Sequence, residues 1–201
     1  MNHRFIVLDG PEGCGKSTQA RLLCRALEER GIPTLVVRDP GSTRIGEQIR
    51  AILLDPDHQE MGMRCEMLLY MAARAQMMSQ SIAPALEQGK VVICDRFVSS
   101  TLAYQLGGEE LGEDEIKAAA EIAVHGRWPD LVIILDMPPE VGFQRMTRDK
   151  DRIEQRSAAY HQQVRVNYLA QARGDPTCRV VGADQPIEDV HRKILEIVLE
   201  E

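Results

Sequence analysis

The chain has 201 residues, 44% of them hydrophobic and 27% charged, the proportions of a globular protein of one domain that buries about 70% of its unfolded surface. Its 31 acidic residues outnumber 24 basic ones, for a net charge of −7, which disfavours a nucleic-acid polymer as partner but allows small anions held by local arginines. Cysteines at 14, 24, 65, 94 and 178 form no C-x-x-C pair and lack partnering histidines, so reduced thiols are expected rather than a disulfide frame or a zinc site.

Apolar runs alternate with helix-period stretches from end to end. Residues 4–9 (RFIVLD) read as a strand and 16–30 as a helix closed by Gly31. A second strand is expected at 33–38, a turn at 39–42 and a helix over 43–54 that ends before Pro56. Residues 60–88 read as one long helix whose apolar stripe is Met61, Cys65, Leu68, Leu69 and Ala72. The runs VVICD (91–95) and LVIILD (131–136) have the continuous apolarity of strands buried on both faces. Helices are expected between them at 97–106 and 114–125. After Pro138 come a helix, a charged stretch at 147–152, a helix to 171, a strand at 178–181 and a last helix from Pro186. Five strands separated by helices predict a three-layer α/β fold, a five-stranded parallel sheet flanked by helices. No repeat or low-complexity linker divides the chain. No apolar run reaches membrane-spanning length, and a first motif at Gly10 leaves no room for a signal peptide, so a cytoplasmic protein is expected.

Gly10-Pro11-Glu12-Gly13-Cys14-Gly15-Lys16-Ser17 fits G-x-x-x-x-G-K-[ST] between a predicted strand and a predicted helix. Glycines let such a loop turn its N–H groups inward on phosphate oxygens. Lys16 then reaches the terminal phosphates and the Ser17 hydroxyl can ligate Mg²⁺. The stretch Gly10, Glu12, Gly13, Cys14, Gly15, Lys16, Ser17 and Thr18 is the expected ATP site. Such loops serve several functions. The chain has no N-K-x-D string for guanine recognition and is short for a ring ATPase or helicase. Arginine-rich stretches in several places after the loop suit a kinase that holds two phosphorylated ligands in line. In DRFVSSTLAYQ (95–105), Asp95 ends a buried strand where ligands gather in open α/β sheets. There it can bind Mg²⁺ while Arg96 grips a phosphate; the alternative is a structural Asp–Arg pair.

LDGPEGCGKST, RDPGST, DRFVSSTLAYQ, DRIEQRS and EMLLYMAARAQ together resemble a thymidylate kinase along nearly the whole chain. The resemblance implies transfer of a phosphoryl group from ATP, with Mg²⁺, to dTMP, in dTTP synthesis. It implies that Glu12 approaches the acceptor's 3′-hydroxyl and that Arg96 holds the acceptor phosphate. Arg38 either reaches that phosphate or pairs with Asp39. Tyr70, where most relatives have Phe, and Arg74 share a helix face at i and i+4, as a stacking ring and a base-edge donor would need; core packing is the plain alternative for Tyr70. Thr101 corresponds to a base-contacting residue, and Tyr104 to a ring under the sugar that crowds a 2′-hydroxyl. By the same resemblance the Asp39–Pro40 peptide is cis, and residues 180–184 form the adenine-side loop.

Some relatives carry a catalytic arginine inside the glycine loop. Here that position is Gly13, so the charge is expected from a lid around 145–153. Arg148 is the first choice there, ahead of Arg152, with Arg145 nearby. Family members are usually homodimers, and the methionines of the 60–88 helix (Met63, Met67, Met71 and Met78) offer apolar surface beyond its stripe. Two rivals remain at this point. A deoxynucleoside kinase would need a base for a 5′-hydroxyl, and a nucleotide-switch protein would bind tightly and turn over slowly.

Overall fold

The computed structural model describes residues 4–108 and 111–200. Strand β1 (Phe5–Asp9) leads through the glycine loop into α1 (Lys16–Glu28), followed by β2 (Thr34–Arg38) and α2 (Arg44–Leu54). Next come α3 (Met63–Met77), a π-helical turn (Met78–Ile82), α4 (Ala83–Glu87) and β3 (Val91–Asp95). Helices α5 (Val98–Gln105) and α6 (Glu113–Val124) precede β4 (Leu131–Asp136) and α7 (Pro139–Gln144). The chain closes with α8 (Ala158–Gly174), β5 (Cys178–Gly182) and α9 (Ile187–Leu199). No helix is long and apolar enough to cross a membrane among the described residues.

The five strands pair in parallel, as the alternating pattern predicted, in the order β2-β3-β1-β4-β5. Successive strand side chains point to opposite faces, so the central strands feed two cores. Phe5, Val7, Val92, Cys94 and Ile134 face one core, with Met67, Met71, Val98 and Val164 from the covering helices. Ile6, Leu8, Ile93, Ile133 and Leu135 face the other, against Leu23 and Leu27 of α1 and Ile194 of α9. Phe5, Ile6, Val7 and Leu8 are at most 2% exposed, and each such burial contributes about 1.5–3 kcal/mol. This core holds the carboxyl ends of β1, β2 and β3 side by side: Leu8 is in register with Asp95, and Asp95 with Arg38.

Two expectations for residues 60–88 need correction. The stretch is not one regular helix: it starts at Met63 and loosens into the π turn before α4. Pro84, which has no N–H to give, sits just past that turn. Its apolar stripe is also on the wrong side. Leu68 is 56% exposed and Cys65 and Ala72 are exposed, whereas Met67, Met71, Met77 and Met78 are buried. The buried face carries Glu66 and Arg74, polar groups satisfied internally, so a search for apolar periodicity selects the opposite face. The Asp39–Pro40 peptide is cis, as expected.

Candidate active site

Two clefts open along the carboxyl edge of the sheet. A loop-side cleft of about 890 Å³ is lined by Gly13, Gly15, Lys16, Ser17, Thr18 and Asp95, with Arg38 and Arg145 at its rim. A helix-side cleft of about 560 Å³ is lined by Tyr70, Arg74, Ser100, Thr101, Tyr104 and Gln105. Glu12, Asp39, Arg50, Arg96, Arg148 and Glu154 line both, and so mark the junction of the clefts.

The glycine loop is held from two sides. Lys16 folds back to donate to the Gly10 and Pro11 carbonyls at 3.0 and 2.7 Å. Gly13 has φ +70°, and a methyl group on it would collide with the backbone of Gly142 in α7, while one on Gly142 would collide with the Glu12 carbonyl. Gly10 and Cys14 line neither cleft; Cys14 is buried in the core and burial pushes its thiol up. Ser17 Oγ donates to Asp95 Oδ2 at 2.5 Å. A hydroxyl and a carboxylate at this spacing are hard oxygen donors of the kind Mg²⁺ takes alongside nucleotide phosphates. Among the described residues, no group of three His, Cys, Asp or Glu side chains could hold a metal alone.

Arg96 is at the centre of the junction. Its backbone is left-handed, φ +70°, which costs a non-glycine residue on the order of 1–3 kcal/mol. The twist aims the guanidinium back at the loop. Nη2 donates to Glu12 Oε1 at 2.8 Å, and Nη1 donates to Gly10 O, Ser100 Oγ and Tyr168 Oη at 3.1–3.2 Å. Burial works against its charge, but Glu12 and the neighbouring tyrosines overcome that and hold its pKa well above the ordinary value. Glu12 responds in kind. Burial raises its pKa, yet Arg96, Lys16 and the hydrogen bond from Tyr104 Oη at 2.9 Å bring it to about 2.

Arg74 is 1% exposed and almost fully engaged. Its Nε donates to Asp39 Oδ2 at 2.6 Å, Nη1 to Met71 Sδ at 2.9 Å, and Nη2 to Phe97 O and Thr101 Oγ1 at 3.1 Å. Asp39 is thus the partner of Arg74. Arg38 instead pairs with Glu47 at 2.9 Å, on the exposed side of β2. Tyr70 lines the helix-side cleft, one turn from Arg74.

The 145–153 segment divides in two. Arg145 donates to Ala183 O at 3.1 Å, beside the turn after β5. Arg148, 60% exposed in its side chain, forks onto Glu154 at 2.9 and 2.5 Å. Arg152 faces inward at 4% exposure, donates to Leu53 O and pairs with Glu66 at 2.5 Å. It lines neither cleft, so the second choice for a catalytic arginine is an anchor.

Several residues at the site were given no role by the sequence. Asp9 is fully buried and accepts from Gly10 N, Ser99 Oγ, Ser100 Oγ and Tyr168 Oη at 2.6–2.9 Å. Its place at the end of β1, just before the loop, was the available signal, parallel to that of Asp95 in β3. Glu154 and Gln105 lay within DRIEQRS and DRFVSSTLAYQ without a role of their own, and Arg50 lay outside every motif, because local spacing alone does not tell which polar side chain turns inward.

A parallel sheet of this order, with a glycine loop leading from its central strand into a helix and a Ser–Asp pair across the adjacent strand, defines the P-loop NTPase fold. The family model described as thymidylate kinase matches residues 8–194. The "Thymidylate kinase" of Exiguobacterium sp. is 43% identical over 204 aligned residues, covering 100% of this chain and 96% of that protein. That of Symbiobacterium thermophilum is 46% identical over 198, covering 98% and 92%. That of Fervidobacterium nodosum is 42% identical over 194, covering 96% and 97%. The chain belongs to the thymidylate kinase family.

Proposed function

We propose that the loop-side cleft holds ATP, that the helix-side cleft holds dTMP, and that the phosphoryl group passes between them at the six shared residues. As a thymidylate kinase the protein makes dTDP from dTMP, a step of dTTP synthesis. The meeting of the two clefts at Arg96, Glu12 and Arg148 is the observation that carries the assignment.

The chemistry asks for positioning and charge neutralisation more than for a base. The attacking group is an oxygen of the acceptor phosphate, already ionised near neutral pH. Arg96 is locked toward that position by its backbone and by Glu12, and Arg50 adds a second cation in both clefts. Lys16 exchanges the Gly10 and Pro11 carbonyls for the ATP phosphates, and the loop amides hold them. Arg148 gives up Glu154 to stabilise charge on the transferring group. Mg²⁺ bound near Ser17 and Asp95 would neutralise phosphate charge. Tyr70 stacks on the base, Arg74 keeps one N–H for its edge, and Thr101 completes the wall. Tyr104 lies under the sugar and, with Glu12, leaves no room for a 2′-hydroxyl. The whole chain works as one catalytic domain in the cytoplasm, as a homodimer joined through the exposed stripe of α3.

A coupled ADP-release assay with ATP, Mg²⁺ and a panel of nucleoside monophosphates tests this. Strong turnover of dTMP with little of AMP, GMP or UMP is expected. Turnover of thymidine instead would sink the phosphate-acceptor assignment, and a ribonucleotide preference would sink the role of Tyr104.

A further inference from the structure

Helix α3 lays three polar side chains along its buried face, one turn apart: Glu66, Tyr70 and Arg74. Tyr70 and Arg74 line the acceptor cleft; Glu66 lies behind it at 0% exposure and has no part in the chemistry above. Both its oxygens are engaged. Oε2 accepts from Arg152 Nη2 at 2.5 Å and from Arg156 Nη2 at 2.6 Å, and Oε1 accepts from Gln105 Nε2 at 2.7 Å.

A carboxylate only accepts, so the Gln105 amide has one orientation here: its nitrogen goes to Glu66. Gln105 lines the acceptor cleft, and its Oε1 is the amide atom left for a ligand. Arg74 beside it is a pure donor. One N–H at Nε, one at Nη1 and two at Nη2 are engaged, which leaves one of its five for a ring carbonyl. A wall of one acceptor and one donor matches the imide edge of thymine, where N3–H donates and a carbonyl accepts. Cytosine offers an unprotonated N3, an acceptor, to the same oxygen.

We infer that Glu66 is a positioning residue for base selection: by fixing the Gln105 amide it admits imide pyrimidines and rejects cytosine. The inference rests on the assignment of the helix-side cleft to the acceptor nucleotide. It makes a directional prediction for E66Q. Arg152 and Arg156, donors only, keep the new side chain's oxygen on their side, so its NH₂ meets position 105. The Gln105 amide must then invert to accept, and the cleft meets a donor.

The test compares kcat/KM for dTMP and dCMP in wild type and E66Q, with thermal melting as a check on folding. E66Q is expected to lower the dTMP value about tenfold or more, as when a polar partner is left unmatched, and to raise the dCMP value, with the KM for ATP unchanged. The double variant E66Q/Q105E restores an acceptor and is expected to restore dTMP preference. Equal losses for both pyrimidines, with a lowered melting temperature, would mean a merely structural carboxylate and overturn the inference. If E66Q fails to fold, Q105L decides: a levelled dTMP/dCMP ratio supports the inference and an unchanged ratio overturns it. A wild-type enzyme silent on dTMP would overturn the acceptor assignment itself, and is distinguishable from every outcome in which only the variants depart.

Discussion

Glu12 and Arg96 form a pair 2.8 Å apart whose two charges are each maintained by the other against partial burial. The carboxyl's pKa falls from its ordinary 4.5 to about 2 on folding. A depressed carboxylate contributes stability above its unfolded pKa and loses it as the pH falls toward its folded pKa. The stability gap between wild type and E12Q, measured by denaturant unfolding, should therefore be flat from pH 9 to pH 6. It should shrink below about pH 4.5 as protons enter the unfolded carboxyl first. A gap that instead narrows on raising the pH would refute the pairing. The sequence named both residues, because one lies in a recognisable loop and the other follows a strand-ending aspartate. It did not show that they touch, since 84 positions separate them and only the register of β1 with β3 brings them together.

Among the elements, β1, β3 and β4 were readable because they are buried on both faces and carry no polar group before their final aspartate. Helix α3 was misread for the converse reason: its inward face holds Glu66 and Arg74, whose charges are matched by Arg152, Arg156 and Asp39. The 145–153 segment, read as one charged lid, separates into an exposed part with Arg148 and a part pinned by Arg152 to α2 and α3. The two arginines should therefore fail differently. R148A should lower kcat by about two orders of magnitude or more with little change in melting temperature. R152A should cost about 3–5 kcal/mol of stability, because it leaves a buried carboxylate short of a partner. Unfolding curves and kcat measured on both variants check the split, and the reverse pattern would exchange their roles.

For the molecule as a whole, the outward face of α3 becomes the informative one. Leu68 at 56% exposure, with Cys65 and Ala72 beside it, presents apolar surface that the fold itself does not cover. If it joins two copies, light scattering will give twice the 22.5 kDa chain mass, and L68E will halve it while leaving the far-ultraviolet circular dichroism intact. A wild-type monomer would remove this face from any assembly. The symmetry of such a contact, one stripe against its own copy, is that of an isologous dimer.

The contact of Gly13 with Gly142 bears on where in this site a further charge can stand. An arginine at position 13 of the loop would need a side chain where this chain has bare backbone pressed against bare backbone. Placing a charge in the loop would thus take more than one codon, since α7 would have to retreat before any residue larger than glycine could stand at position 13. The two arrangements are neighbours in chemistry but separated by a steric valley. With this gap closed, position 13 has room for backbone alone.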